Sequence, residues 1–248
     1  MSENYFLNRR SCRNFKNESI DDSVLKNIIT QSVKAPTCGN MQLYSIIVTR
    51  DPERLKKLAP CHFNQPASTT APVILTICAD FNRFKKWCDI NNAKSGFENF
   101  HSFITAMTDA VIVAQQIVTV AEQMGLATCY LGTVTYNAEE ISRLLELPKL
   151  VVPVASVALG IPESLGEETN RLPLKGVVHF EKYEDPDDRT IRDLFRVHDE
   201  DPGNEAFIKE NNKDNLAQVF AEVRYPGEMN EKLSVDFYNL LKKKGFQS

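Results

Sequence analysis

The sequence is poor in the short motifs that usually announce a function. It has no Gly-x-Gly-x-x-Gly, P-loop, Gly-x-Ser-x-Gly or His-Glu-x-x-His, which removes the familiar routes to a dinucleotide fold, an NTPase, a serine hydrolase and a zinc protease. Its cysteines, at 12, 38, 61, 78, 88 and 129, form no Cys-x-x-Cys pair, so zinc and thioredoxin-like readings are weak. The histidines, at 62, 101, 179 and 198, lack metal-ligand spacing, and no metal site is expected. Glycine and proline are scattered, with no repeat and no low-complexity tract to mark a linker. The opening Met1-Ser2-Glu3-Asn4-Tyr5 carries an acid and no apolar h-region, so it does not read as a signal peptide and the cytoplasm is the expected compartment. The greasiest stretch, residues 103–121, contains Asp109, Gln115 and Gln116, which are costly in lipid; it reads as a buried helix, and no membrane is expected.

What is present is an ordinary globular composition. At 248 residues, 42% hydrophobic and 25% charged, the chain is long enough for one large domain whose core needs neither metals nor disulfides. A net charge of −4 argues against a nucleic-acid partner while leaving room for a local anion site.

Over residues 21–33 the apolar positions Val24, Leu25, Ile28, Ile29 and Val33 follow helical spacing, with Asp21 as N-cap and Pro36 as a stop. Tyr44–Thr49 reads as a strand, and Asp51-Pro52 opens a helix. Residues 73–79 form a continuous β-branched-rich run, expected as a central strand covered on both faces, with Cys78 a packed, reduced thiol. Residues 100–124 are apolar on nearly every side and end at Gly125, so this helix should run through the core or a subunit interface. Residues 126–131, 151–159 and 177–183 read as further strands, and Asn137 with Glu140 resembles a capping box. The alternation makes the class α/β or α+β. After Tyr183 the composition shifts: residues 184–188 are acidic and 197–215 hold few apolar side chains. Helices are expected around Ile191, over 216–223 and over 231–244, packed on something other than their own core.

Four segments carry candidate chemistry. In Arg9-Arg10-Ser11-Cys12-Arg13-Asn14-Phe15, three guanidiniums and a hydroxyl can surround one phosphate through charge-assisted, forked hydrogen bonds; alone, the same segment is a solvated basic helix end. Pro36-Thr37-Cys38-Gly39-Asn40-Met41-Gln42 is a turn whose amides could read the polar edge of a planar heterocycle, or simply a loop. Tyr130-Leu131-Gly132-Thr133 ends a strand at a glycine, allowing close backbone approach to a ligand, or merely a turn. Arg171-Leu172-Pro173-Leu174-Lys175-Gly176-Val177-Val178-His179 puts another basic residue in a loop, available as a second arm to the phosphate.

In this order, and over essentially the whole chain, these segments resemble the FMN-dependent nitroreductase family, most closely its NADPH-dependent nitro/flavin reductase branch. The resemblance implies an α+β fold: a central, mostly antiparallel sheet flanked by helices, in a homodimer whose subunits share two FMN sites. Residues 1–183 would form the FMN-binding core and 184–248 a C-terminal helical arm wrapping the partner. Arg9, Arg10, Ser11 and Arg13 would hold the ribityl phosphate, joined by Arg171; Thr169 stands where relatives often place a further phosphate-binding lysine. Cys38, Asn40 and Gln42 would line the flavin, with Gln65 near its pyrimidine edge. Tyr130 and Leu131 would lead to Gly132 and Thr133, whose backbone amides would face flavin N5; many relatives carry a second glycine where Thr133 stands. The implied activity passes hydride from NADPH, or NADH, through FMN to a small-molecule acceptor (nitroaromatic, quinone or free flavin) by a ping-pong mechanism. No titrating side chain is needed, so activity is expected to survive loss of any single histidine. Other readings are a specialised flavin-dependent dehalogenase or dehydrogenase on the same scaffold, and a flavin-binding protein without turnover.

Overall fold

The computed structural model describes residues 5–247. The reading of the N-terminal residues 1–4, like the last residue of the expected arm, Ser248, therefore lies outside the described residues. Contacts divide the chain into two compact units, one running through Glu167 and rejoined at Val235, the other Glu168–Ser234.

The first unit opens with α1 (Tyr5–Asn8) and α2 (Asp22–Ser32), the latter starting one residue after Asp21, whose side chain makes no cap bond. Then follow β1 (Tyr44–Thr49), α3 (Pro52–Leu58), α4 (Pro66–Thr70), β2 (Val73–Asp80), α5 (Asn82–Ile90), α6 (Phe100–Gln123), β3 (Ala127–Tyr130), α7 (Ala138–Leu144) and β4 (Val151–Gly160). The α3 start follows from its residues: Asp51 accepts from the Arg54 N–H and Pro52 fits the first helical turn.

The sheet is antiparallel throughout, in the order β1-β2-β4-β3. All residues of β2 are buried, as a strand covered on both faces must be. Val73, Leu75 and Ile77 face one side, with α2 and α6, while Ile74 packs on the other with Phe15, Ala67, Ala71 and Leu131. Cys78 is also fully buried and free, and burial pushes its thiol up to about 12. The ladder between β2 and β4 slips between Ile77 and Cys78, where Pro153 stands opposite. A proline has no N–H to give the ladder, so a bulge is the natural accommodation.

α6 is capped by Asn99, which accepts from the Ser102 N–H at 2.9 Å, and its chain turns away at Gly125, φ +85°. Its alanines 106, 110, 114 and 121 let the helix lie close on the sheet. Among the described residues it is the one helix long and apolar enough to cross a membrane, but its sheet-facing stripe is buried in the protein. Its other side is mixed, with Val111 and Ile112 exposed beside the exposed polar residues His101, Thr108 and Gln115. The expectation of a helix running through the core holds for one face; the outward face mixes Val111 and Ile112 with polar side chains.

The end of the last helix, residues 235–243, returns to this unit. Leu240, Leu241 and Phe246 are buried with Phe103 and Leu150, and the Leu150 N–H donates to the Lys244 carbonyl at 2.7 Å. Residues 235–247 thus belong to the first unit's own core.

The second unit contains α8 (Asp188–Asp199), α9 (Pro202–Glu210), α10 (Leu216–Gln218) continued by a π turn (Val219–Arg224), and the start of α11 (Gly227–Lys243). The expected strand over residues 177–183 is not formed. The Val177 and Val178 N–H groups close a turn on Leu174, and Val177, Phe180 and Tyr183 are exposed. A β-branched, aromatic run makes a strand only beside a neighbour that completes its ladder, and no strand among the described residues pairs with it.

Candidate functional site

The basic segment near the N-terminus is laid along the outer edge of β3. Cys12 N–H donates to the Thr128 carbonyl at 3.0 Å, and the next residues bond to the chain after β4: Lys16 N–H to Ile161 and Glu163 N–H to Asn14. The approach is close at two glycines. A Cβ on Gly166 would stand 2.3 Å from the Ser11 carbonyl oxygen, and one on Gly160 would stand 2.8 Å from Phe15. Arg9, Arg10, Ser11 and Arg13 are therefore held by backbone on both sides, with Arg13 exposed. Arg9 donates to Glu122 of α6 at 3.1 Å and to Ser11 Oγ at 3.3 Å. Glu122, largely buried, also accepts from Tyr5 Oη at 2.8 Å and Thr128 Oγ1 at 2.5 Å. Burial pushes the Tyr5 phenol up, and the Glu122 carboxylate adds to the shift.

β3 delivers the second segment to the same place. Tyr130 ends the strand near Arg9: burial pushes its phenol up to about 12, and the guanidinium opposes the shift. Leu131 donates its N–H to the Ser156 carbonyl, accepts from the Val134 N–H and buries its side chain, so it packs the turn in place. The chain then makes the 3-10 turn Gly132–Val134. Gly132 is exposed, with nothing within 4 Å of where a Cβ would stand. Among the described residues, neither the Gly132 nor the Thr133 N–H has a backbone acceptor.

The turn is braced from behind by residues 59–65. His62, fully buried, places Nδ1 3.0 Å from Thr133 Oγ1. Burial lowers its pKa to about 4, so the ring is neutral at pH 7. Asn137 Nδ2 donates to the Cys61 carbonyl at 2.8 Å, and the Phe63 and Tyr136 rings lie 6.4 Å apart. Asn137 does sit at the N-cap of α7, but the expected capping box is absent: its amide goes to Cys61 and Glu140 pairs with Arg143. Phe63 and Asn64 then take left-handed backbone, φ 54° and 51°, and bring Gln65 to the start of α4.

The third segment is a turn of unusual backbone. Gly39, Asn40 and Gln42 all have positive φ, 55°, 55° and 53°. Asn tolerates this conformation, whereas a left-handed Gln costs about 1 kcal/mol or more and persists only where its surroundings impose it. The surroundings are two side chains. Asp109, 1% exposed on α6, accepts from the Cys38 N–H at 2.8 Å and the Leu43 N–H at 3.1 Å, closing the turn at both ends. Arg83 Nη2 donates to the carbonyls of Gln42, at 2.5 Å, and Tyr44, at 3.1 Å. Exposed on the turn, Gln42 Nε2 reaches Asn40 Oδ1 at 3.4 Å, so the two amides pair.

These segments form two clusters within the first unit. The Arg9–Arg13 strap and the Gly132–Thr133 turn lie at the β3 edge, and the Cys38–Gln42 turn lies ahead of β1, at the opposite edge. Their α6 anchors, Glu122 and Asp109, are about 20 Å apart along the axis at the rise of an α-helix. Arg171 belongs to the second unit, where its Nη1 donates to Thr169 Oγ1 at 2.5 Å and to the carbonyls of Thr169 and Asn170.

Sequence reasoning missed His62, Arg83, Asp109 and Glu122 as supports. Two of them left a signal: a carboxylate within an apolar helix must find donors, and what it finds is the backbone or side chain it organises.

Residues 7–161 match the Nitroreductase family. The chain is 32% identical over 88% of its length to an FMN reductase [NAD(P)H] of Bacillus subtilis, covering 90% of that protein. It is 30% identical over 73% of its length to an oxygen-insensitive NADPH nitroreductase of Salmonella typhimurium, covering 74% of it. A crystal structure of a Bacteroides fragilis protein superposes with a TM-score of 0.97 at 42% identity, over 99% of this chain and 100% of the other.

Proposed function

Because the chain belongs to the nitroreductase family, we propose that it is an NAD(P)H-dependent FMN oxidoreductase that reduces nitroaromatics, quinones or free flavin. The observation that carries this reading is the meeting, at the β3 edge, of the Arg9–Arg13 strap with a turn that begins at the exposed Gly132 and whose N–H groups, among the described residues, have no backbone acceptor. That pair suits a ligand with a phosphate at one end and a flat, electron-accepting ring at the other. When bound, FMN supplies the two-electron chemistry, accepting hydride as NAD(P)H becomes NAD(P)+ and giving two electrons to the acceptor. Arg9, Arg10, Ser11 and Arg13 would hold the phosphate, with Arg171 as a further arm. The Gly132 and Thr133 N–H groups would face the ring edge where negative charge builds, a fixed-dipole role needing no titrating group. Cys38, Asn40, Gln42 and Gln65 would bind the polar edge of the ring.

Because the two clusters of one chain stand at opposite edges of the sheet, a site shared between two copies would bring them to one ligand. A second copy related by a twofold axis, seated over the exposed Val111 and Ile112 of α6, would complete each site with the other's turn. The segment from 184 to 234 would supply the arm that embraces that copy, since residues 235–247 pack in this chain's own core. Such a dimer should bury more than roughly 2,000 Å². NADPH is the favoured donor, and donor and acceptor take turns in one pocket, giving ping-pong kinetics.

The test is direct. The purified full chain should be yellow and dimeric, its flavin should bleach on anaerobic mixing with NADPH, and double-reciprocal plots should be parallel. A colourless protein, or a flavin that NADPH leaves oxidised, removes the reading; intersecting lines without competitive inhibition at high substrate remove the shared pocket.

A further inference from the structure

His62 stands out among the buried polar groups. It is fully enclosed, its Nε2 has no hydrogen-bond partner, and its single polar tie is Nδ1 to Thr133 Oγ1 at 3.0 Å. For packing alone a leucine would serve better, because it would leave no buried nitrogen unsatisfied. The one bond the ring makes goes to the residue whose backbone N–H the proposed function aims at the flavin. The loop carrying His62 is separately fixed to the N-cap of α7, just after the turn, through Asn137 and Cys61, so the imidazole is not needed merely to dock it.

We propose that His62 is a positioning residue for flavin reduction: by holding the Thr133 hydroxyl it fixes the rotation of the Gly132–Thr133 turn, and so the aim of its two N–H groups. This rests on the FMN oxidoreductase reading. Thr133 stands where a glycine would have no side chain to hold, so the tie belongs to this chain's own residues. Burial keeps the imidazole neutral, so the tie does not alter with charge across the neutral pH range. The earlier expectation that any histidine is dispensable then fails at position 62 and stands at 101, 179 and 198.

The experiment uses the full-length holoenzyme and four variants. His62→Leu keeps bulk and removes the tie; His62→Asn places an amide where Nδ1 stands; Thr133→Val removes the hydroxyl and Thr133→Ser keeps it. FMN content, flavin midpoint potential and the anaerobic rate of flavin reduction at saturating NADPH are measured. With FMN still bound, His62→Leu and Thr133→Val should each slow reduction about tenfold and lower the midpoint potential, because less well aimed donors stabilise the reduced ring less. The double variant should be no slower than either, and His62→Asn and Thr133→Ser should recover most of the rate. Wild-type rate and potential in Thr133→Val, or losses that simply multiply in the double variant, overturn the proposal; Thr133→Val decides the matter if His62→Leu does not fold. If wild-type flavin is itself not reduced by NADPH, the functional reading falls and the proposal with it. Normal wild-type reduction with unaffected variants removes the positioning role alone.

Discussion

The Cys38–Gln42 and Gly132–Thr133 turns both present backbone and amide groups outward, yet they are held in opposite ways. The first is closed by a charge: the Asp109 carboxylate collects two N–H groups, and Arg83 grips the carbonyls that follow. The second is braced by a neutral ring touching one hydroxyl. A carboxylate can impose several left-handed residues because each charge-assisted bond contributes roughly 1.5–3 kcal/mol. The neutral brace is a single weaker tie and fixes only an angle, which would suit a turn whose N–H groups are aimed at a ligand.

The largest effect is expected from breaking the charged anchor. Asp109→Ala leaves the buried Leu43 N–H and the Cys38 N–H without their acceptor, a loss of about 2–4 kcal/mol, or a Tm lower by about 5–15 °C for a chain of this size. An unchanged Tm in differential scanning calorimetry would mean that the turn is held by something else.

Arg13→Ala should weaken FMN binding by roughly 10- to 100-fold, the value of one charge-assisted pair to a phosphate. Arg196→Ala, whose guanidinium pairs with Asp193 on α8, should leave it unchanged. Equal FMN retention by both in equilibrium dialysis removes the strap as the phosphate site. The same variant tests how the two turns are shared. If each site takes its Cys38–Gln42 turn from one copy and its strap from the other, co-refolding Asp109→Asn with Arg13→Ala chains should restore about a quarter of wild-type activity, since half the dimers are mixed and each has one intact site. A chain carrying both changes should restore nothing when refolded alone. Failure of the mixture to exceed its components would place both turns at one chain's site.

The neutral brace has a pH signature. The His62 pKa is lowered to about 4 in the folded chain, below its unfolded value of 6.5, so the unfolded state binds the extra proton between them. Stability should fall as pH drops through this window, by up to about 1.4 kcal/mol per pH unit from this group. Tm measured from pH 7 to pH 5 should decline less steeply in His62→Leu than in the wild type; parallel profiles would show that His62 does not titrate there. The smallest effect belongs to Glu140→Gln. With no capping box to lose and only an exposed pair with Arg143, it should not change Tm measurably.

The sheet was legible because periodicity and burial agree in it: residues 73–79 are apolar without alternation, and a strand between two helical layers is what such a run can be. Residues 177–183 open on two valines and hold two aromatics among His179, Glu181 and Lys182, and misled, because nothing in a run of side chains says whether a neighbouring strand will arrive. Asp51-Pro52 and Asn137-Glu140 differ in the same way. A cap is readable when its partners lie within one turn, and Asn137 instead spends its amide on Cys61, far away in sequence. The strap and both turns could be picked out as local patterns, whereas their anchors, Asp109, Glu122 and His62, act at separations of many tens of residues that no local pattern contains.

Because Glu122 and Asp109 anchor the two clusters from one helix, α6 is a ruler as well as a core element. Substitutions on its outer stripe change what it touches, but an inserted or deleted residue between the two anchors would turn one of them about 100° around the axis and shift it about 1.5 Å along it. The carboxylate that closes the first turn would then point away from its N–H groups. Between 109 and 122 the sheet-facing residues Ala110, Val113, Ala114, Ile117, Val118 and Ala121 are fixed by packing and the length is fixed by the two anchors, so only the outward positions of α6 are open to change.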